Sequence, residues 1–312
     1  MNFISEEQSA ALINQDLAYT AVREALIAAA GNEAKIFPAV LAHGSSLSDR
    51  FSIKSGATSN LAGLKVGSYW PENDKIGIPR HNSTIVLFDQ ATGRVGWVIE
   101  AGKVNAYRTA AADAVAADVL ARADASILAI FGTGNQALYE CRAIARIRSI
   151  SEVLVVARDP AKASAFATVL VNDGIKARVT NGRDACEHAD IVVTATSARQ
   201  PLFEAEWIKP GTHIASMGSD AAGKQELPPA LFDCASLYCD LPTQAVIIGD
   251  LQHFTGDRGL IGKIGDVLAG RWLGRTSYNE ITVFDSSGIA LQDLYTARHI
   301  IEAFERRNEE GL

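Results

Sequence analysis

Six consecutive residues, Gly132-Thr133-Gly134-Asn135-Gln136-Ala137, carry the most specific chemistry in the chain, because they follow directly on the apolar run Ile127-Leu-Ala-Ile-Phe131. Glycine at 132 permits a tight turn off a strand, Gly134 lets the backbone close on a pyrophosphate, and the small Ala137 lets the next helix pack on the sheet. Free N–H groups and partial positive charge at the start of that helix suit phosphate. A second apolar run, Val153 to Ala157, ends at Arg158-Asp159, about 20 residues past the glycines, where a ribose-reading residue belongs. The pattern is that of a dinucleotide fingerprint, although a structural glycine turn and a methyltransferase-type loop share parts of it. Arg158 could grip a 2′-phosphate and favour NADP, an option Ala157 keeps open. Alternatively it lies over the adenine while Asp159 accepts from ribose hydroxyls and repels an added phosphate, which favours NAD.

Three charged residues offer substrate chemistry. Arg108, in Asn105-Ala-Tyr-Arg108-Thr109, reads as the opening of a long helix, where guanidinium and helix N–H groups could jointly hold a carboxylate. A surface arginine paired with Asp113 or Glu100 would read the same way. Lys65 sits in the apolar segment Ala62 to Trp70, and strand alternation puts it on one face with Gly63 and Gly67, leaving room for a ligand above the glycines; it could equally point to solvent. Asp220 follows the expected strand 212–217, and groups just beyond the carboxyl ends of parallel strands line the ligand crevice. It is either an acid/base or the N-cap of a helix over 221–226. Ser286-Ser287-Gly288 follows the last expected strand and could contact the nicotinamide amide. His213, inside a strand, reads as a satisfied core group, and the histidines show no metal spacing.

These groups need a scaffold with strands ending at one edge. Strands are expected at 127–131, 153–157, 176–180, 190–195, 212–217, 237–240 and 281–285, alternating with helical periodicity, which is the mark of a parallel sheet wrapped by helices. Before them come a helical region from Ser5 to Ala30, strand-like pieces at 36–42, 51–55, 63–69 and 85–88, a hairpin turning at Gln90–Gly93, and an alanine-rich helix from Val104 to Ala121. A last helix, 289–307, is expected to return to the first domain. The fold class is therefore α/β: a Rossmann-type dinucleotide-binding domain over 123–289, plus a smaller mixed α+β substrate-binding and dimerisation domain over 1–122 and 290–312.

Composition sets limits. With 312 residues, 48% hydrophobic and 21% charged, the chain suits two cored domains. A net charge of -7 and no basic run argue against nucleic acid. Four cysteines without CxxC pairing indicate neither a disulfide framework nor a metal site, and read as buried thiols in a reducing cytosol. Neither a basic leader followed by an apolar run nor a long uncharged apolar stretch occurs, so a soluble cytoplasmic protein without membrane partners is expected.

Lys65 in Gly-Leu-Lys-Val, Arg108 in Tyr-Arg-Thr-Ala-Ala, Gly132-Thr-Gly-Asn-Gln-Ala, Gly218-Ser-Asp-Ala-Ala-Gly-Lys-Gln-Glu-Leu and Val283-Phe-Asp-Ser-Ser-Gly-Ile occur in order over nearly the whole chain. This set resembles the ornithine cyclodeaminase/μ-crystallin family. The resemblance implies a homodimer with an NAD(H)- or NADP(H)-binding domain that interconverts amino and imino acids by hydride transfer, or cyclises ornithine to proline with release of ammonia. It implies that Lys65 and Arg108 bind the α-carboxylate, that Asp220 serves the amine or imine nitrogen, and that Gly132 to Ala137 hold the pyrophosphate. Thr109, Thr196, Met217, Gly218, Ser287 and Gly288 join Arg158 and Asp159 as expected cofactor contacts. The μ-crystallin branch lacks an acid at the position of Asp220, so a nucleotide-dependent binding protein is the weaker reading. Lys54, Arg80 and His81 add cations that would repel the second ammonium of ornithine but pair with a second carboxylate, unless they are ordinary surface charge. The chain looks most like the members that reduce iminosuccinate to aspartate with NAD(H), with ornithine cyclodeaminase, alanine dehydrogenase and cyclic ketimine reductase as the alternatives.

Overall fold

The computed structural model describes residues 1–309. In chain order it contains β1 (Asn2–Ile4), α1 (Glu6–Leu12), α2 (Gln15–Ala29), β2 (Lys35–Ile36), β3 (Val40–His43), β4 (Arg50–Ala57), β5 (Ala62–Tyr69), β6 (His81–Phe88), β7 (Val95–Glu100) and α3 (Gly102–Leu120). There follow β8 (Ile127–Phe131), α4 (Asn135–Ile147), β9 (Glu152–Val156), α5 (Pro160–Asn172), β10 (Ala177–Val179), α6 (Gly182–His188), β11 (Ile191–Thr194), β12 (His213–Ser216), β13 (Ser236–Cys239), α7 (Pro242–Ile248), β14 (Gly262–Lys263), α8 (Ile264–Leu268), β15 (Thr282–Asp285) and α9 (Ala290–Glu309). The chain divides into two compact units, Met1–Arg108 with the segment from Ile289 onward, and Thr109–Gly288, so the division falls inside α3. Of the segment 290–312 assigned above to the first domain, residues 310–312 lie outside the described residues.

In the first unit the helical region from Ser5 is two helices. Ser5 caps α1 in a reciprocal capping box with Gln8, and Asn14 starts α2 afresh by accepting from Leu17 N–H. The sheet runs β1-β7-β6-β5-β4-β2 with β3 also on β4, antiparallel except for β1 on β7. The expected strand at 36–42 is broken into β2 and β3 around Pro38, which has no N–H to give a ladder. The β6–β7 hairpin turns where Asp89 accepts from Ala91 and Thr92 N–H and Gly93 takes φ +68°. Helix α9 covers one sheet face. A Cβ at Gly63 would run into the Val86 carbonyl oxygen and lie 3.0 Å from Leu87 and 3.1 Å from Leu294, so this glycine is required first by the neighbouring strand β6 and then by α9.

The second unit is a parallel sheet of order β10-β9-β8-β11-β12-β15-β13-β14. Its first six strands follow the doubly wound order, with the switch between β8 and β11. The central strands β8, β9, β11 and β12 are short, largely apolar and buried, as a sheet covered on both faces requires, while the edge strand β10 is mostly exposed. The seven strands expected from sequence are present to within a residue at each end; β14, two residues including a glycine, gave no periodic signal. Cys141, Cys186 and Cys239 are buried thiols, but Cys234 is exposed, contrary to expectation. His213 is buried, Nδ1 beside the Thr282 hydroxyl at 2.9 Å and Nε2 without a partner, and burial drives its pKa down to about 3. No helix among the described residues is long and apolar enough to cross a membrane.

Candidate active site

Lys65, on β5, points to the face that α9 covers, and its ammonium meets Asn105 Oδ1 at 2.9 Å and Asp293 Oδ2 at 3.3 Å. Arg108 converges on the same acids and amides: Nη2 donates to Asn105 Oδ1 at 2.6 Å, Nη1 to Gln292 Oε1 at 3.4 Å, and Nε lies 2.8 Å from Asp293 Oδ1. Lys65, Arg108 and Asp293 are all buried. Burial pushes Lys65 down to about 7; Arg108 and Lys54 add repulsion, and Asp293 opposes it. Lys54 is 9% exposed and stands directly across from Lys65 in the β4–β5 register. Like charges directly opposed on a sheet are destabilising, more so away from water, so the pair calls for negative charge close by, part of which Asp293 supplies.

Two expectations about this cluster change. Arg108 is not at a helix opening: α3 begins at Gly102, and the N–H groups of Gly102 and Lys103 donate to the Glu6 carboxylate at 2.7 and 2.8 Å. The free N–H groups are spent on Glu6, so Arg108 works with side chains, and its partner is Asp293 rather than Asp113 or Glu100. Nor is the space above Gly63 open, since Leu87 and Leu294 fill it. Beside Gly67 a Cβ would make ordinary contact with Ser52 Oγ, Lys65 Cε and Ser83 Oγ, at 3.5 to 3.7 Å, so the surroundings on that side of Lys65 are polar and less crowded than at Gly63.

Arg80 stands apart. Its side chain is 46% exposed and ion-paired with Asp74. His81 packs on Tyr69, ring centroids 4.7 Å apart. It lies four residues along β6 from Ile85, the strand partner of Lys65, roughly 13 Å away at the usual strand rise. Lys54 thus joins the buried cluster, His81 lies further along the same face, and Arg80 is on the surface.

In the second unit the fingerprint has the form that a pyrophosphate needs. Gly132 takes φ +119°, and a Cβ there would lie 2.7 Å from the Ala195 carbonyl oxygen. Gly134 is the N-cap of α4, with nothing within 4 Å of where its Cβ would be, so the approach to the helix N-terminus is open. Ala137 is fully buried against the sheet; Thr133 is half-buried and Asn135 exposed. Gln136 turns its amide to Glu140 at 2.6 Å. These residues fit a dinucleotide. Arg158 and Asp159 are exposed after β9, and Asp159 Oδ1 caps α5 by accepting from Ala161 and Lys162 N–H. Thr109 is half-buried on α3.

Beyond β12, Met217 is buried and Gly218 N–H donates to Glu226 Oε2 at 2.8 Å. Asp220 lies in the loop after β12, not at a helix N-cap; its side chain is 60% exposed and meets Lys224 Nζ at 2.5 Å. Thr196, after β11, donates both N–H and hydroxyl to Glu226. Ser287 and Gly288 are held through Asp240, at 3.0 and 2.6 Å, with Gly288 at φ +70°.

Asp293, Asn105, Gln292 and Glu226 were not among the residues singled out from sequence. The available signal was polarity inside an apolar stripe: Gln292 and Asp293 sit between the buried Leu291 and Leu294 on α9.

The model of the ornithine cyclodeaminase/mu-crystallin family matches residues 7–308. Among curated relatives, the iminosuccinate reductase of Paracoccus denitrificans is 36% identical over 97% of this chain and 96% of its own length. The alanine dehydrogenase of Archaeoglobus fulgidus is 33% identical over 96% and 94%. The fold matches the crystal structure of the Paracoccus denitrificans iminosuccinate reductase in complex with NAD+ with a TM-score of 0.93, 33% identity, and coverage of 99% of this chain and 97% of that one. It also matches a Thermococcus litoralis Delta(1)-pyrroline-2-carboxylate reductase in complex with NADH and L-proline, at TM-score 0.90, 29% identity, and 100% and 99% coverage. With the fingerprint, the buried cationic cluster and a family match across nearly the whole length, the chain belongs to the ornithine cyclodeaminase/mu-crystallin family.

Proposed function

We propose that this protein is an NAD(H)-dependent imino acid reductase, working as a cytoplasmic homodimer, whose substrate is a dicarboxylate imine: iminosuccinate, reduced to L-aspartate. The observation that carries the reading is the pair Lys54 and Lys65, cross-strand neighbours buried together with Arg108. A monocarboxylate needs one clamp, and Lys65 with Arg108 supplies it. A third buried cation on the same face suits a second carboxylate and repels the second ammonium of ornithine. The likeness to the iminosuccinate reductase of Paracoccus denitrificans supports the same substrate. For the cofactor, the acidic Asp159 after β9 disfavours a 2′-phosphate, and relatives were crystallised with NAD+ or NADH.

When bound, the dinucleotide supplies the hydride that converts the imine carbon to an amine carbon. The protein's share is orientation and charge. Lys65 and Arg108 hold the α-carboxylate, Lys54 the distal one, and Asn105, Gln292 and Asp293 fix the two clamping cations in place. We assign to Asp220 the stabilisation of the protonated imine nitrogen and the developing ammonium. His81 serves the rim of the distal carboxylate site, and Arg80 is left without a role. At the dinucleotide, Gly132 to Ala137 take the pyrophosphate, Arg158 and Asp159 the adenosine end, and Thr109, Thr196, Met217, Gly218, Ser287 and Gly288 the remainder.

The test is the loss of NADH absorbance with purified protein and iminosuccinate generated from oxaloacetate and ammonia, beside pyruvate with ammonia, and NADPH. Oxidation confined to NADH and the dicarboxylate is the expected result. Oxidation with the pyruvate-derived imine alone would make the chain an alanine dehydrogenase. Ammonia released from ornithine without net NADH loss would make it a cyclodeaminase.

A further inference from the structure

Glu226 is fully buried in the second unit, and four donors converge on its carboxylate. Oε1 accepts from Thr196 N–H at 2.6 Å and the Thr196 hydroxyl at 2.7 Å; Oε2 accepts from the Thr194 hydroxyl at 2.9 Å and Gly218 N–H at 2.8 Å. Ser216 Oγ lies 3.3 Å from Oε2 and 2.5 Å from Asp250 Oδ2, so its proton is best used on Asp250. Asp250 Oδ1 in turn accepts from the N–H groups of Glu226 and Leu227, which fixes the backbone that presents the glutamate. The fit around Gly218 is tight: a Cβ there would lie 2.7 Å from both Glu226 oxygens.

The two loops joined by this carboxylate both leave the dinucleotide edge of the sheet. Thr196 follows β11, and its Cγ2 would lie 3.3 Å from a Cβ at Gly132, against the turn at the head of the fingerprint. Gly218 follows β12 and leads to Asp220. Since β8, β11 and β12 are neighbours, Glu226 ties the glycine turn, through Thr196, to the loop that carries Asp220. In a doubly wound sheet the half on the β9 side of the switch takes the adenine end of a dinucleotide, and the half starting at β11 faces the other nucleotide.

We infer that Glu226 is a positioning residue for the nicotinamide half of the cofactor, holding the Thr196 and Gly218 loops in register with the glycine turn. This rests on the reading of the unit as an NAD(H)-binding domain. The requirement is for a carboxylate. All four partners donate, so a glutamine amide would set its NH2 against an N–H or a hydroxyl and leave a buried donor unmet.

Titrating the full-length protein with NADH by fluorescence, and with ADP-ribose in competition, separates the two halves of the ligand. Glu226→Gln is expected to weaken NADH about tenfold while ADP-ribose, which lacks nicotinamide, stays within about twofold. Thr194→Val deletes one donor to the carboxylate at nearly constant shape. It is expected to move the same ratio in the same direction by about threefold, and it decides the matter if the glutamine variant does not fold. Equal weakening of both ligands, or an unchanged ratio in the folded variants, overturns the assignment of Glu226 alone. Wild-type protein that binds neither ligand overturns the NAD(H) reading and this inference with it.

Discussion

At the scale of single residues, the site is a problem in burying cations. Lys65 and Arg108 share one carboxylate, Asp293, and Lys54 stands across the strand from Lys65. Because burial lowers Lys65 to about 7, the ammonium that an anionic substrate needs is present below that pH and lost as pH rises through it. KM for the imino acid should therefore be lowest on the acid side and climb above pH 7, by up to about tenfold per pH unit, a rise absent in Lys65→Arg because guanidinium stays charged. A steady-state pH series on both proteins checks this. The same shift has a stability consequence of definite sign: the unfolded chain keeps that proton up to about 10.5 and the folded chain only to about 7, so this group's contribution favours folding as pH rises between the two. Lys54→Met should lower kcat/KM for iminosuccinate roughly 30-fold or more and leave the pyruvate-derived imine within about threefold, because only the former carries a second carboxylate. Equal loss for both would move Lys54 out of the distal site. Asp220→Asn should cut kcat about 100-fold; unchanged turnover would remove Asp220 from the chemistry.

At the scale of elements, a helix end is held by a side chain distant in sequence. The first turn of α3, which leads into the turn carrying Arg108 and itself presents Asn105, is capped by the Glu6 carboxylate of α1, and Glu6 N–H donates to Glu100 at 2.8 Å. Glu6→Ala should cost about 1 to 2 kcal/mol of stability, seen as a lower denaturation midpoint, and should raise KM for the imino acid more than the Kd for NADH. At the fingerprint, Gly132→Ala demands positive φ of an alanine and drives its Cβ into the Ala195 carbonyl. Loss of NADH binding by fluorescence, with a lowered midpoint, is the expected outcome.

At the scale of the whole molecule, the seven expected strands of the second unit were legible because each buried strand is a short apolar run, and such runs separated by helical periods have few arrangements open to them. The fingerprint was legible for a related reason: glycine at 132 and 134 and alanine at 137 answer demands of backbone and close packing that are local to a strand, a turn and a helix. The family, too, could be read from motifs in order, each one continuous in sequence. What the chain alone did not reveal depends on contacts between distant segments. Asp293 pairs with Lys65 and Arg108 only because α9 returns to cover β5, the α3 N-terminus is taken by Glu6, and the space beside Lys65 is polar and uncrowded at Gly67 but filled at Gly63 by Leu87 and Leu294. Local pattern therefore determined the elements, the dinucleotide turn and the lineage of this protein. Tertiary structure alone decided which charges are buried together and which are left on the surface, because burial and electrostatic partnership are properties of packing, and packing joins residues that the sequence keeps far apart.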